Sequence, residues 1–576
     1  MFIVQSSLLQ AAATFAIAWV IWKAVKNYLI PSPLDKIPGP PPSSIIKGNI
    51  DQLFSRQGWV FHDDVGEKYN YVVRITGFLN KPMLYVYDPK ALHSILVKDT
   101  YTFDMPKWTT ANLEMLLGPG LLTVRGDHHK RQRKMLNPVF SAKHMKGMTP
   151  LFYRIARKVQ YGIGEEVKHG PADVDIFVWL GRTALEVIGQ GGLGYSLDPL
   201  LGGKPSPLGD TLKVFLPTMA NIGWLQMLSG PLRRVTTSGL RQLLGEWVPS
   251  KRLHAATKQM TDTIDLYSRK IFESKKQALL AGDDTVTHQV EEQNDIMSIL
   301  LKANVEAAES DRLPEEEVIG QIALLVLAAT DTTTNSLTQI MQLLAKHQDV
   351  QDKLRSEIVD AIRQNGGDRD LPHDVLVNLP YMDAICRETL RLHTPVVHLF
   401  REHVCLLLTQ RIGIDYIACR AQEDGILPLH KPIQCTDGTT MTEIPVPKGT
   451  YVLAGLRACN LNKELWGEDV KEWKPERWLS PLPQAVIDAH IPGVYSNLMT
   501  FGGGGRSCIG FKFSQLEMTS LTEVVLSVLI PAFKLSPADN DDEITWNLGG
   551  IRYPTIGTAS NESSCPIKMR RIEVDA

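Results

Sequence analysis

The strongest chemical feature of the chain is a thiol at the end of a glycine run, Phe501-Gly-Gly-Gly-Gly-Arg506-Ser-Cys508-Ile-Gly510. Such a run can cradle a phosphate, make a tight turn, or bring backbone close to a flat cofactor. A Walker loop needs lysine after its last glycine. Gly505 and Gly510 have the spacing, but Phe511 stands in the lysine position. A dinucleotide fingerprint built on Gly503 and Gly505 needs glycine at the position of Cys508. What remains is a cysteine just ahead of an expected helix, beside an arginine. Helix-start N–H groups and a nearby cation both favour thiolate over thiol. That is suitable chemistry for a thiolate ligand to haem iron, with glycines letting a macrocycle lie against the main chain.

Four further stretches could do chemistry. In "LAATDTTTNS", Asp331 and several hydroxyls interrupt an otherwise apolar helical pattern. Polar groups there are costly unless partnered. They read either as satisfied threonines or as a proton path with Asp331 and Thr332 facing a cavity. In "YMDAICRETLRLHTP", Glu388 and Arg391 lie three apart and share a helix face. Taken alone, such a pair is a solvated salt bridge of little worth. "EWKPERWLS" alone is a loop carrying Arg477. "RGDHHKRQRKMLNPVFS" is a basic cluster that reads as a solvated helix face.

The elements that must position these groups can be outlined. The chain has 576 residues, 44% hydrophobic and 22% charged, with a net charge of −2. That is ordinary globular composition with no bulk electrostatic case for nucleic acid. The seven cysteines form no CxxC pair, which argues against a zinc site or disulfide framework and for a reducing compartment. Met1 to Trp22 holds no charged side chain, and Lys23 and Lys26 follow. About 20 apolar residues span a bilayer, and the trailing lysines hold the downstream chain on the cytoplasmic side. A cleaved signal peptide would carry its positive charge ahead of the apolar run. The expectation is therefore a signal-anchor over residues 1–22. A basic stop and proline-rich hinge follows over 23–44, where six prolines between Pro31 and Pro42 give a stiff, extended spacer. One large domain should fill 45–576, mainly α with small β-sheets. Strand-like runs come first ("YVVRITG", "MLYVYD"), then helical periodicity from about Phe140 to His393. Pro314 followed by Glu315, Glu316 and Glu317 starts a long helix running to about Lys346. Pro380 and Pro395 bracket another, and a last helix is expected from about Ile509 to Leu529.

Together these motifs resemble the cytochrome P450 family. Its haem signature, Phe-x-x-Gly-x-Arg-x-Cys-x-Gly, is matched by Phe501, Gly504, Arg506, Cys508 and Gly510. Glu388-x-x-Arg391 matches its Glu-x-x-Arg helix, and Pro475-Glu476-Arg477-Trp478 is similar to the loop that follows. Ala328-Ala329-Thr330-Asp331-Thr332-Thr333 resembles its oxygen-activating helix. The elements occur in the family's order over about residues 38 to 560, in a style similar to microsomal fungal, basidiomycete-like members.

The resemblance implies a cytochrome P450 fold, a single haem-binding domain behind the anchor, and haem b as cofactor. Cys508 is then the axial thiolate and Phe501 packs beside it. Arg506, Arg401 and Arg133 bind the haem propionates; His129 stands where the family has tryptophan. Glu388, Arg391 and Arg477 become a buried ionic triad, which reverses the solvated reading. Asp331 and Thr332 become the acid–alcohol pair of oxygen activation. Ala329, where glycine is common, narrows the groove slightly. No flavin or nicotinamide motif is present, so electrons come from NADPH through a separate flavoprotein reductase, which Lys130, Arg131 and Lys134 are expected to face.

The expected activity is insertion of one atom of O2 into a lipophilic small molecule: a terpenoid, sterol-like compound, fatty acid or polycyclic aromatic. Secondary metabolism or detoxification is the expected setting, on the endoplasmic reticulum membrane, single-pass, with the catalytic domain cytoplasmic. Substrate contacts are expected from 103–121, 214–228, 322–330, 396–400 and 548–553, with Met105, Trp108, Met115, Phe215, Met219, Trp224, Met227 and Leu399 as an adaptable apolar lining. A haem-thiolate isomerase or dehydratase needs no reductase and no proton relay, so Asp331 and Thr332 argue against it. A non-catalytic haem sensor needs no acid–alcohol pair either. NADPH consumption with a product heavier by one oxygen separates the three. One stretch departs from the family: residues 405–422, "CLLLTQRIGIDYIACRAQ", are an apolar insertion, read as a possible retained intron or else a surface loop.

Overall fold

The computed structural model describes residues 14–15, 18–19, 21–22, 25–140, 146–202, 206–235, 251–281, 295–404, 425–511, 522–539 and 541–572. Helices dominate, with four small sheets. Two apolar clusters form the interior. One joins the helices, and the other fills the space around a five-stranded sheet.

That sheet contains β1 (Val72–Thr76), β2 (Pro82–Val86), β3 (Phe103–Asp104), β4 (His398–His403) and β5 (Tyr451–Gly455), in the order β1-β2-β5-β4-β3. Only the β2–β5 pair is parallel. The register sets Asp104 opposite Glu402, so β3 delivers Asp104 next to Arg401 on β4. Directly after β3, helix α1 (Lys107–Leu117) begins, and α2 (Gly126–Leu136) follows.

The long helix is α4 (Glu315–Lys346), which packs on α3 (Ile176–Val187). Its start is as expected: Pro314 at the N-cap, three glutamates in the first turn and Lys346 in the last. Its 32 residues span about 48 Å. Helix α5 (Pro380–Leu392) starts at its proline and stops before Pro395. Helix α6 (Thr522–Ala532) is the described part of the expected last helix; residues 512–521 lie outside the description.

The proline hinge is less extended than expected. Pro33–Lys36 form a 3-10 turn closed by a Ser32 capping box, with Leu34 and Ile37 buried. Burying these two side chains pins the segment to the domain. Of the expected anchor, residues 1–13, 16–17 and 20 lie outside the description, as do 23–24 of the hinge. Among the described residues no helix is long and apolar enough to cross a membrane.

Candidate haem-thiolate site

The cysteine loop straddles the two apolar clusters: Phe501 and Phe511 pack on the sheet side, Ile509 on the helical side. Phe501 meets Tyr495 at 5.6 Å and Phe511 at 5.5 Å between ring centroids, which anchors both ends of the loop. The Cys508 amide donates to Phe501 O at 2.9 Å, and Phe511 N donates to Cys508 O at 3.2 Å. Cys508 is exposed. The glycines serve the chain itself. Gly504 has φ +67°, and a Cβ there would lie 1.9 Å from Leu96 O; one on Gly503 would lie 2.3 Å from Pro492 O. Close approach to a macrocycle is therefore not what demands these two residues. At Gly510 a Cβ would meet nothing nearer than Cys508 Sγ at 3.9 Å, so packing gives no reason for glycine there.

Around the loop sits a knot of cations, of which Arg401 and Arg506 have buried side chains. Arg133 on α2 donates to Ser507 O at 2.6 Å, beside Cys508. Arg506 donates to Val124 O at 3.0 Å and pairs with Asp104 at 2.7 Å. Arg401 donates to its neighbour Phe400 O at 2.9 Å. Burial and Arg506 together pull the Arg401 guanidinium down to about 10. His129 is held near 3, first by burial, then by Arg506, Arg133 and Arg401, so its imidazole is neutral. The Tyr101 hydroxyl lies 3.2 Å from His129 Nδ1. If it donates there, Nε2–H is the donor facing outward. Arg133, Arg401, Arg506 and His129 lie together around the loop. Asp104 and Tyr101 are additions that local sequence gave no signal for, since their partners lie far away in the chain.

Between Glu317 and Ala345, helix α4 is enclosed except for one stripe. Leu325, Ala328, Ala329 and Thr332, at i, i+3, i+4 and i+7, are accessible while their neighbours are buried. Thr332, Thr334 and Ser336 each donate to the carbonyl one turn back, at 2.7 to 2.8 Å. These are the satisfied hydroxyls of the plain reading. Asp331 is different. It faces away from the stripe into a small cavity lined by Gly181, Arg182, Leu185, Asp198 and Thr334, and its Oδ2 has no partner among the described residues. Burial raises the carboxyl to about 8.

The ionic triad forms, with Glu388 and Arg391 fully buried and Arg477 nearly so. Arg391 grips Glu388 through two bonds, 2.9 and 2.8 Å. Arg477 reaches Glu388 at 3.4 Å, and Trp478 Nε1 donates to its other oxygen at 3.0 Å. Arg391 also donates to Val470 O at 2.7 Å, so the pair ties α5 to the segment that leads to the cysteine loop.

The basic run on α2 has acidic partners within the chain. Lys130 meets Asp127 at 2.8 Å, Arg131 meets Glu317 at 3.5 Å, and Lys134 meets Asp311 at 2.9 Å. Lys130 and Lys134 remain exposed. The side chain of Trp224 and the whole of 405–424, with Cys405 and Cys419, lie outside the description.

The residues fit haem. At least three arginines converge on the loop with one acid, Asp104, recorded among them. The Nε groups of Arg401 and Arg506 are buried without a partner among the described residues. Two carboxylates supplied by a planar ligand would satisfy such donors, and an exposed cysteine lies two residues from Arg506.

Comparison with known proteins agrees. The family profile described as Cytochrome P450 matches residues 38–410 and 425–553. The chain is 47% identical to Cytochrome P450 monooxygenase 91 of Postia placenta, over 97% of each. It is 44% identical to Cytochrome P450 monooxygenase 219 of the same fungus, over 98% of each. It is 41% identical to Ganoderic acid synthetase CYP5150L8 of Ganoderma lucidum, over 99% of each.

Proposed function

The chain belongs to the cytochrome P450 family as a haem b-dependent monooxygenase, and from that premise we propose that Cys508 ligates the iron and that the substrate is a lipophilic product of secondary metabolism or a xenobiotic. The observation that carries the site is the knot of arginines with buried, orphaned donors around an exposed cysteine.

Haem held by a thiolate would supply O2 activation: with two electrons and two protons, one oxygen atom would enter an unactivated C–H or C=C bond and the other would leave as water. Arg506, Arg401 and Arg133 hold the two propionates, and neutral His129 donates one further hydrogen bond. Thr332 presents its hydroxyl on the accessible stripe of α4 and moves a proton at Oγ1. Asp331 keeps a proton on its carboxyl at neutral pH and replenishes Thr332. Glu388, Arg391 and Arg477 hold the loop's support and touch no reacting atom. Trp108, which packs on Phe400 at 5.3 Å, supports a lipophilic substrate. The likeness to a ganoderic acid synthetase supports a role in secondary metabolism.

Electrons reach the haem from NADPH through a separate reductase. Lys130 and Lys134 are the exposed part of the basic face proposed to meet it, though each already has an acidic neighbour. Residues 1–22 are proposed to anchor the protein in the endoplasmic reticulum membrane with the catalytic domain cytoplasmic. The uncharged apolar run followed by Lys23 and Lys26 supports this. Residues 405–422 are proposed to be a retained intron. The family match stops at 410 and resumes at 425, in support. An active protein translated from a transcript that encodes the segment would end that idea.

Cys508→Ser tests the site. The red-shifted Soret band of the reduced carbonyl complex should vanish. A band that persists means another ligand. Soret shifts across a lipophilic library then identify the substrate class.

A further inference from the structure

Asp104 does not belong to the expected haem-binding set, yet it sits at the centre of it. Its Oδ1 pairs with Arg506 Nη2 at 2.7 Å, and each side chain is 4% exposed. Its Oδ2 lies 3.6 Å from Arg125 Nε and accepts from Gly126 N at 3.2 Å. Oδ1 also accepts from Met105 N at 2.8 Å. The β3–β4 register places it one position from Arg401, whose charge it helps to stabilise. Asp104 thus contacts Arg506 and Arg125 and steadies the charge of Arg401.

We propose that Asp104 is a positioning and charge-setting residue of the haem site. It orients Arg506 by taking Nη2, leaving Nε for a propionate, and it adds a fixed negative charge that favours ferric over ferrous haem. The inference rests on Arg506 being a propionate residue. Removing Asp104 takes one negative charge from beside Arg506, Arg125 and Arg401, and a site left more positive would hold the extra electron of ferrous haem more readily. Because Asp104 lies where β3 passes into α1, the pair also ties the haem loop to the segment in front of it.

The test is spectroelectrochemical titration of the full-length haem protein. Asp104→Asn should keep its haem and its reduced carbonyl band, and shift the ferrous-to-ferric ratio at fixed potential about tenfold towards ferrous, about 59 mV. Asp104→Glu keeps the charge and should stay within about twofold of wild type. Haem transfer to apomyoglobin should be no faster from Asp104→Asn than from wild type, because a carboxylate that repels propionates has been removed. An unshifted potential in haem-loaded Asp104→Asn overturns the inference. So does loss of folded protein in both Asp104→Asn and Asp104→Ser while Asp104→Glu folds, which would make Asp104 a fold residue. A wild-type protein without the thiolate carbonyl band would instead overturn the assignment of the site itself.

Discussion

Asp331 and Thr332 are consecutive in α4 and occupy opposite surroundings. Thr332 Oγ1 donates to Ala328 O at 2.7 Å on the one accessible stripe of the helix. The Asp331 carboxyl is buried on another face, in a cavity with roughly 30 Å³ of water-accessible space against Arg182 and Asp198. That is room for about one or two waters. The alcohol therefore meets the site while the acid stays behind it as a protonated reserve.

Removing the reserve should uncouple the enzyme. Asp331→Asn is expected to lower product formation about 100-fold, the usual scale of general acid catalysis, while NADPH consumption continues. Product per NADPH equal to wild type would show that Asp331 moves no proton. The same group links stability to pH. Its folded pKa, about 8, lies above the ordinary 3.8. Its contribution is therefore full below the ordinary value and lost as pH rises through 8. Wild type should melt progressively lower relative to Asp331→Asn as pH rises from 4 to 8. A constant difference across that range refutes the assignment.

Glu388 is the centre of the second prediction. Glu388→Gln leaves Arg391, which is fully buried, without its anion. Breaking a buried pair from one side costs about 3–5 kcal/mol. Urea unfolding should show that loss together with a fall in haem content. The i,i+3 pair Arg363–Asp360, largely exposed, is the control, and Arg363→Ala should change stability by less than about 0.5 kcal/mol. A Glu388→Gln effect as small as the control would mean the triad does not hold the loop.

The contrast between these two pairs shows where sequence reading stops. Both have the same three-residue spacing, and spacing reveals a shared helix face without telling which face is covered. Glu388 is covered because Arg477 and Trp478 fold back over it. The start of α4 was legible because Pro314 and three glutamates are local signals. The cations around Cys508 were legible only through motif resemblance. Asp104 was not legible at all, because its partner Arg506 is brought near by sheet register and loop packing. The glycines indicated backbone freedom but not what they approach, which is Leu96 and Pro492.

Two buried histidines predict acid sensitivity. His62 and His398 stack at 5.3 Å between ring centroids, near Tyr85, Phe400 and Arg457. Burial, then Arg457, holds His62 down to about 4; burial, then His62, holds His398 near 3. The unfolded chain takes up protons at the ordinary 6.5 and the folded one does not. Their stability is thus present above 6.5 and lost as pH falls through 4 and 3. Each ring should cost about 2 kcal/mol between pH 7 and 5. His398→Phe, which keeps the stack, should remove about 2 kcal/mol of the stability lost over that interval. An unchanged loss would mean that other groups drive it.

The last prediction separates two glycines that are adjacent in the chain. At Gly504 a Cβ would lie 1.9 Å from Leu96 O, and φ is +67°. Neither the backbone oxygen nor the left-handed conformation yields cheaply, so Gly504→Ala should cost several kcal/mol, about 2 or more. At Gly505 the nearest atom is the Tyr101 hydroxyl at 3.6 Å, an ordinary contact. Gly505→Ala should therefore leave folding and haem content near wild type. Thermal melts and haem-to-protein ratios of the two variants decide between two roles for the run. If the loop's shape is set by its packing on Leu96, only Gly504→Ala fails. If the glycines were needed for contact with the macrocycle, Gly505→Ala would also lose haem, and it would do so without losing its fold.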